Sequence, residues 1–293
     1  MPEYPDVVAY IEAIESRLSG AKLEKIRLLN PFVLRSVSPE PALFSGRSLQ
    51  GVTRMGKRLV FHFPDELFAV VHLMIAGRFR LLPPGGKPPG KISLASFEFD
   101  RGTLALTEAG SKRRASIHLV EGSEALAALD PGGAEVFEIE LAEFAERLRR
   151  ENHSIKRVLT DPRLFSGIGN AYSDEIFHHA RLSPIRLTQK MSDEEIARLF
   201  ASTRQVLTDW SERLRAEARE KFPEKVTAFR PEMAVHGKFE QPCPVCGTPV
   251  QRIVYAENET NYCARCQTGG KLLADRALSR LLKGDWPKSI DEL

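Results

Sequence analysis

Hydrophobic positions follow two different periods along this chain. At the start, Val7, Val8, Ile11, Ile14 and Leu18 recur at three- and four-residue steps, the apolar stripe of a helix. Pro5 suits the first turn of that helix, where its missing N–H costs nothing. Residues 22–120 change to a period of two and read mostly as strands. Lys22–Leu28 and Arg58–Phe63 alternate polar and apolar positions, and Phe68–Arg80 is a further apolar strand. Ser96–Phe99 and Thr103–Leu106 flank Asp100-Arg101-Gly102, which reads as a hairpin with glycine in its turn. Pro83–Gly90 is all proline, glycine and one lysine, so it cannot continue a ladder and forms a surface loop. Strands in succession with few helices predict an antiparallel sandwich.

Asp130-Pro131-Gly132-Gly133 marks the return to helical periodicity. Leu141, Phe144, Ala145 and Leu148 form one stripe. Ser192-Asp193-Glu194-Glu195 is a capping box that opens a long helix. Ile196, Leu199, Phe200, Thr203, Leu207, Trp210 and Leu214 share one face of it. These stripes are assigned to the core. Residues 222–240 read as a connector.

At 293 residues the chain can hold two cores, with a net charge of only +3 and a pI near 8.6. That balance neither demands nor excludes nucleic acid, so any basic surface must be local. No apolar run approaches the roughly 20 residues of a membrane span. The start lacks the basic-then-apolar order of a secretory leader. A cytoplasmic location without membrane partners is expected. All four cysteines lie in Cys243-Pro244-Val245-Cys246 and Cys263-Ala264-Arg265-Cys266, two knuckles 16 residues apart. The spacing is that of a four-cysteine zinc ribbon rather than a disulfide framework. Four thiolates leave no open coordination position, so one structural zinc ion is expected at Cys243, Cys246, Cys263 and Cys266.

The candidate chemistry begins at Met1-Pro2-Glu3. If Met1 is trimmed, Pro2 becomes a free secondary amine, whose α-amino pKa of about 7.7–8.0 lies far below that of lysine. The positive end of the first helix would lower it further. A nucleophilic amine beside the Glu3 acid suits imine formation with a sugar aldehyde. Most amino-terminal prolines do nothing, and some serve as the base of small tautomerases, so the rest of the chain decides. Gly167-Ile168-Gly169-Asn170 precedes a helix, and backbone N–H groups at such a start suit an anion, with Asn170 as an added donor. Glycines there are also ordinary turn geometry. Gly56-Lys57-Arg58 heads a strand, and Ser111-Lys112-Arg113-Arg114 is a compact basic cluster. Both would suit backbone phosphate, and both are equally ordinary solvated turns.

Taken in order, Met1-Pro2-Glu3-x-Pro5, Gly56-Lys57, His72-Leu73-x-x-x-Gly77, Gly167-Ile168-Gly169-Asn170 and the terminal cysteine knuckles resemble the formamidopyrimidine-DNA glycosylase/endonuclease VIII family, over residues 1–267. The resemblance implies an α+β fold: an antiparallel β-sandwich with an N-terminal helix, then a helical domain with a helix–two-turn–helix and a four-cysteine finger. The expected domains are 1–130, 131–238, 239–267 and an extension over 268–293. The implied activity is that of a bifunctional DNA glycosylase and abasic-site lyase acting as a monomer on damaged double-stranded DNA. Pro2 would attack C1′ of the damaged nucleotide, Glu3 would act as acid, and Lys57 would assist elimination and hold phosphate. His72, Arg113, Arg114, Lys156 and Asn170 correspond to the DNA-binding set. The target must leave the stack to be reached. A lyase confined to abasic DNA and a non-catalytic zinc-dependent DNA-binding protein remain alternatives.

Three departures from the family pattern stand out. Asn258, flanked by Glu257 and Glu259, occupies the usual position of an arginine that grips phosphate and assists δ-elimination. Arg252 and Arg265 are the candidate substitutes. The methionine that fills the gap left by the flipped base corresponds to Ile75, and Glu108–Ala115 lacks the aromatic wedge. Glu220–Val235 is too short for the long loop that covers 8-oxoguanine, so oxidised pyrimidines or abasic sites are equally expected. Beyond Cys266, Leu272, Leu273, Leu278, Leu281, Leu282 and Trp286 predict an added helix packed on the body or on a partner, with the body the more expected.

Overall fold

The structure is a computed structural model that describes residues 1–110, 112–224, 226–255, 258–274, 281 and 287–292. The chain divides into two compact units, Met1–Gly132 with Asp209–Thr227, and Gly133–Thr208 with Ala228–Leu293. The expected span 131–238 is thereby split, because residues 209–227 pack within the first unit.

The first unit opens with helix α1 (Tyr4–Leu18). Glu3 caps it, and its backbone N–H donates to Asp6 Oδ2 at 3.0 Å, so the helix start satisfies an orphan donor from within. Strands β1 (Leu23–Leu28), β2 (Gly51–Met55), β3 (Arg58–Phe63), β4 (Leu67–His72), β5 (Gly77–Leu82), β6 (Ser93–Phe99), β7 (Gly102–Glu108) and β8 (Ser116–Glu121) follow. They form two antiparallel sheets, in the orders β1-β6-β7-β5 and β2-β3-β4-β8. Alternation puts one face of each sheet into a shared core. There Phe61 stacks on Phe97 with centroids 5.4 Å apart and meets the edge of Phe79 at 5.9 Å. On the opposite face of the second sheet, Val60, Phe68 and Val70 are covered by Leu126 and Leu129, which belong to and follow helix α2 (Ser123–Ala127).

The expected single strand Phe68–Arg80 is two strands in different sheets. His72–Gly77 is a turn in which Met74 adopts a left-handed φ of +52° and the Gly77 N–H donates to the Leu73 carbonyl at 2.9 Å. A Cβ at Gly77 would lie 2.2 Å from the Leu73 carbonyl oxygen, so only glycine fits this close approach. Hydrophobicity continues through the break because both strands feed the same core.

The second unit carries α3 (Leu141–Arg149), α4 (Ile155–Leu159), α5 (Asn170–His179), the start of α6 (Asp193–Glu220), the hairpin β9 (Gln251–Tyr255) and β10 (Asn258–Tyr262), and α7 (Ala264–Thr268). The capping box of α6 is formed as expected. The Ser192 N–H donates to Glu195 Oε2 at 3.0 Å, and the Glu195 N–H donates to Ser192 Oγ at 3.2 Å. The whole expected α6 stripe is buried. In α3 only Phe144 and Leu148 are buried, and Leu141 is 39% exposed. The far half of α6 docks on α1: Glu12 pairs with Arg215 and Arg219, and Arg17 donates to the Ala218 carbonyl at 3.1 Å.

In the C-terminal extension, Leu272 and Leu273 pack with Tyr262, Ala264 and Ile290, so the described part lies against the finger. Leu281 is exposed, and Leu278, Leu282 and Trp286 lie outside the described residues. No described helix is long and apolar enough to cross a membrane.

Candidate active site and nucleic-acid interface

Met1 stands partly exposed, and the residues that follow it are enclosed. Pro2 and Glu3 are buried, and Asp6 beside them is 1% exposed. The amino group of Met1, which precedes Pro2 in this chain, has its pKa lowered, first by burial. Glu3 opposes that shift, Arg78 adds to it, Asp6 opposes it and Lys57 adds to it. Desolvation and two neighbouring cations therefore favour the neutral, nucleophilic amine, while two carboxylates limit the effect. Trimming Met1 would expose the Pro2 nitrogen within this same surround.

Lys57 follows Gly56, which turns β2 into β3 at φ +61°. Arg54 holds the turn by donating to the Gly56 carbonyl at 2.8 Å, and its guanidinium stacks 4.4 Å over the Tyr4 ring. The lysine turn is thus tied to the first residue of α1. His72 ends β4 opposite Arg58. Its Nδ1 accepts the Met74 N–H at 2.9 Å, and its pKa is pushed down to about 4 by burial and then by Arg58, Lys57, His118 and the amino terminus. His72 is therefore neutral near pH 7. It can hydrogen-bond a phosphate but brings no charge to it.

Among the expected basic residues, Arg113 and Arg114 are exposed on the loop between β7 and β8. Buried Glu108 anchors that loop by accepting the N–H groups of Arg114 at 2.9 Å and Ala115 at 3.0 Å. The Arg113 guanidinium donates to the Lys91 carbonyl at 2.6 Å. Ser111 lies outside the described residues.

In the second unit, Gly169 caps α5 and Asn170 begins it. The Asn170 side-chain amide donates to the Glu259 carbonyl of β10 at 2.8 Å, so the expected phosphate donor also ties α5 to the finger hairpin. Lys156 differs more from expectation. Its ammonium donates to the Asn170 carbonyl at 2.9 Å and to buried Asp174 at 2.5 Å, and its side chain is 16% exposed. Asp174 also accepts from the Asn261 N–H at 3.1 Å and meets His236 Nδ1 at 2.8 Å. Lys156 is thus the counter-ion of a buried carboxylate in this structure. Lys156→Ala is expected to destabilise the fold by about 3–5 kcal/mol, because it strands a buried charge. Denaturant unfolding measures this, and a loss of DNA affinity at unchanged stability would contradict it.

Sequence reasoning missed Asp174, Glu175 and His236. Buried Glu175 accepts three consecutive N–H groups, from Ala234, Val235 and His236, at 2.7, 2.9 and 2.9 Å. Acidic residues on an apolar helix face were the available signal.

The four cysteine Sγ atoms lie within 4.8 Å of one another, and Cys246 and Cys263 approach to 3.4 Å. A tetrahedral ion with bonds of about 2.3 Å requires separations of this size, so the residues fit one metal ion. His178 Nε2 sits 3.2 Å from Cys243 Sγ, a hydrogen bond that would orient this ligand. Of the candidate arginines, Arg252 pairs with Glu259 at 3.2 Å and lies over the Phe239 ring, while Arg265 pairs with Asp291. Both are engaged within the second unit.

Comparison with known families matches residues 1–115 to the formamidopyrimidine-DNA glycosylase N-terminal domain and 128–216 to its helix–two-turn–helix (H2TH) domain. Residues 240–269 match the zinc finger found in these glycosylases and in isoleucyl-tRNA synthetases. A formamidopyrimidine-DNA glycosylase of Listeria monocytogenes is 28% identical over 278 residues, covering 91% of this chain and all of that protein. An uncharacterised formamidopyrimidine-DNA glycosylase-like protein of Mycobacterium tuberculosis is 39% identical over 152 residues, covering 52% of this chain and 94% of its own length. The crystal structure of the Lactococcus lactis glycosylase, non-covalently bound to DNA containing an abasic site, superposes with a TM-score of 0.79 at 25% identity, covering 91% of this chain and 99% of that one. Three domain matches in family order and a fold shared over nine-tenths of the chain lead to one conclusion: this chain belongs to the formamidopyrimidine-DNA glycosylase/endonuclease VIII family.

Proposed function

We propose that this chain is a bifunctional DNA glycosylase and abasic-site lyase of base excision repair, with the amine of Pro2 as its nucleophile. The observation that carries the reading is the burial of Pro2 beside buried Glu3 and Asp6, with the charge of Lys57 acting on the adjoining Met1 amine. The Pro2 nitrogen attacks C1′ of a flipped nucleotide, and the glycosidic bond breaks with its electron pair leaving on the base. Glu3 donates a proton to the ring oxygen as the sugar opens to an imine. The imine acidifies the 2′-hydrogen, a base removes it, and the 3′ C–O bond breaks by β-elimination. Lys57 holds the neighbouring phosphate and assists the elimination. His72, Arg113, Arg114 and Asn170 contribute DNA contacts, His72 as a neutral partner. Lys156 acts through the α5 turn that it supports.

Cys243, Cys246, Cys263 and Cys266 hold a structural zinc ion that fixes the hairpin against α5. The protein acts as a monomer at the nucleoid, on damaged duplex DNA.

Borohydride trapping on an abasic duplex tests the reading. A covalent adduct is expected, and its absence with protein of verified mature amino terminus would refute imine chemistry. Base release from duplexes bearing single lesions then separates a glycosylase from a lyase confined to abasic sites. β-Elimination is expected to outweigh δ-elimination, since Asn258 replaces an arginine and Arg252 and Arg265 are paired with carboxylates. Gel analysis of the cleaved ends checks this, and a dominant δ product would overturn it.

A further inference from the structure

We infer that Arg78 is a positioning residue that locks the turn presenting Ile75. The inference rests on the imine reading above and names a residue which that reading does not use.

The turn His72–Gly77 joins strands of different sheets, so its shape is not set by a ladder. Its rigidity comes from hydrogen bonds within a few residues. His72 Nδ1 accepts the Met74 N–H at 2.9 Å, and the Leu73 carbonyl accepts the Gly77 N–H at 2.9 Å. Arg78 closes the far side, donating from one Nη1 to the Ile75 carbonyl at 3.1 Å and the Gly77 carbonyl at 2.6 Å. Both bonds leave a single nitrogen at the far end of the guanidinium, one bond beyond the reach of a lysine ammonium. Ile75 is held at the tip, 55% exposed on an otherwise apolar segment. Its side chain is β-branched and therefore stiff. A stiff apolar group on a locked turn loses little entropy when it enters a gap in a base stack. Arg78 thus lowers the cost of holding a nucleotide outside the duplex.

Two variants test the lock. Arg78→Lys keeps the charge but ends one bond short of the Nη1 position, and Arg78→Met has no donor at all. The test measures borohydride trapping on an abasic duplex and on the same strand within an unpaired bubble, where no stack has to be opened. The duplex-to-bubble rate ratio is expected to fall roughly tenfold in both variants, as a small misplacement of a positioning group allows. A general loss of fold would lower both rates together and leave the ratio unchanged, and thermal unfolding of each variant reads this directly. An unchanged ratio in both variants, with active wild-type protein, would overturn the inference alone. Absence of wild-type trapping would instead overturn the imine reading.

Discussion

Pro2→Gly is expected to lower the trapped adduct on abasic DNA by roughly a hundredfold, as follows when a reacting atom is misplaced by about 1 Å. The substitution keeps an amino group but removes the ring that fixes the nitrogen at the entrance of α1. It also adds backbone freedom next to the Glu3 cap, where the N–H bond to Asp6 organises the helix start. The wild-type rate should rise with pH as the amine loses its proton. The midpoint should lie below the ordinary α-amino value, because burial, Arg78 and Lys57 together outweigh Glu3 and Asp6. Trapping is quantified on gels, with mass spectrometry confirming that Met1 has been removed. An adduct of wild-type yield and rate from Pro2→Gly would take Pro2 out of the mechanism.

Cys263→Ala should have the second largest effect. Cys263 is fully buried, caps α7, and packs with Val235, Cys243 and Val250. Structural zinc contributes about 10–16 kcal/mol to the folding of finger peptides, so loss of one thiolate is expected to release the ion and melt the hairpin. The consequence reaches α5, because Asn170 and Asp174 bond the hairpin backbone at Glu259 and Asn261. Elemental analysis should find the variant without zinc. DNA affinity should fall roughly tenfold or more on every sequence, with a shallower salt dependence, because phosphate contacts carry little sequence information. Full binding by a verified metal-free protein would contradict the role given to the finger.

Much of this molecule was legible from local patterns. The α1 stripe, the alternation of β1 and β3, the α6 capping box and the cysteine spacing each concern residues close in sequence. Their physics is short-range: helical periodicity, pleat, cap hydrogen bonds and ligand reach. The break at His72–Gly77 was not legible, since apolar residues continue through it and only the left-handed Met74 and the close approach at Gly77 reveal it. The pairing of Lys156 was hidden for a related reason. A lysine ahead of a glycine turn reads as a surface cation until Asp174, eighteen positions away, is found beneath it.

The sequence by itself determined the two periodic regimes, the family, the metal-binding knuckles and the candidate nucleophile, because each is written in residues near one another along the chain. Tertiary structure alone decided which charges surround the amine, that residues 209–227 return to the first unit, and that Lys156, Arg252 and Arg265 are spent on carboxylates. Charge and burial act through space, and the partners that set them lie far apart in sequence.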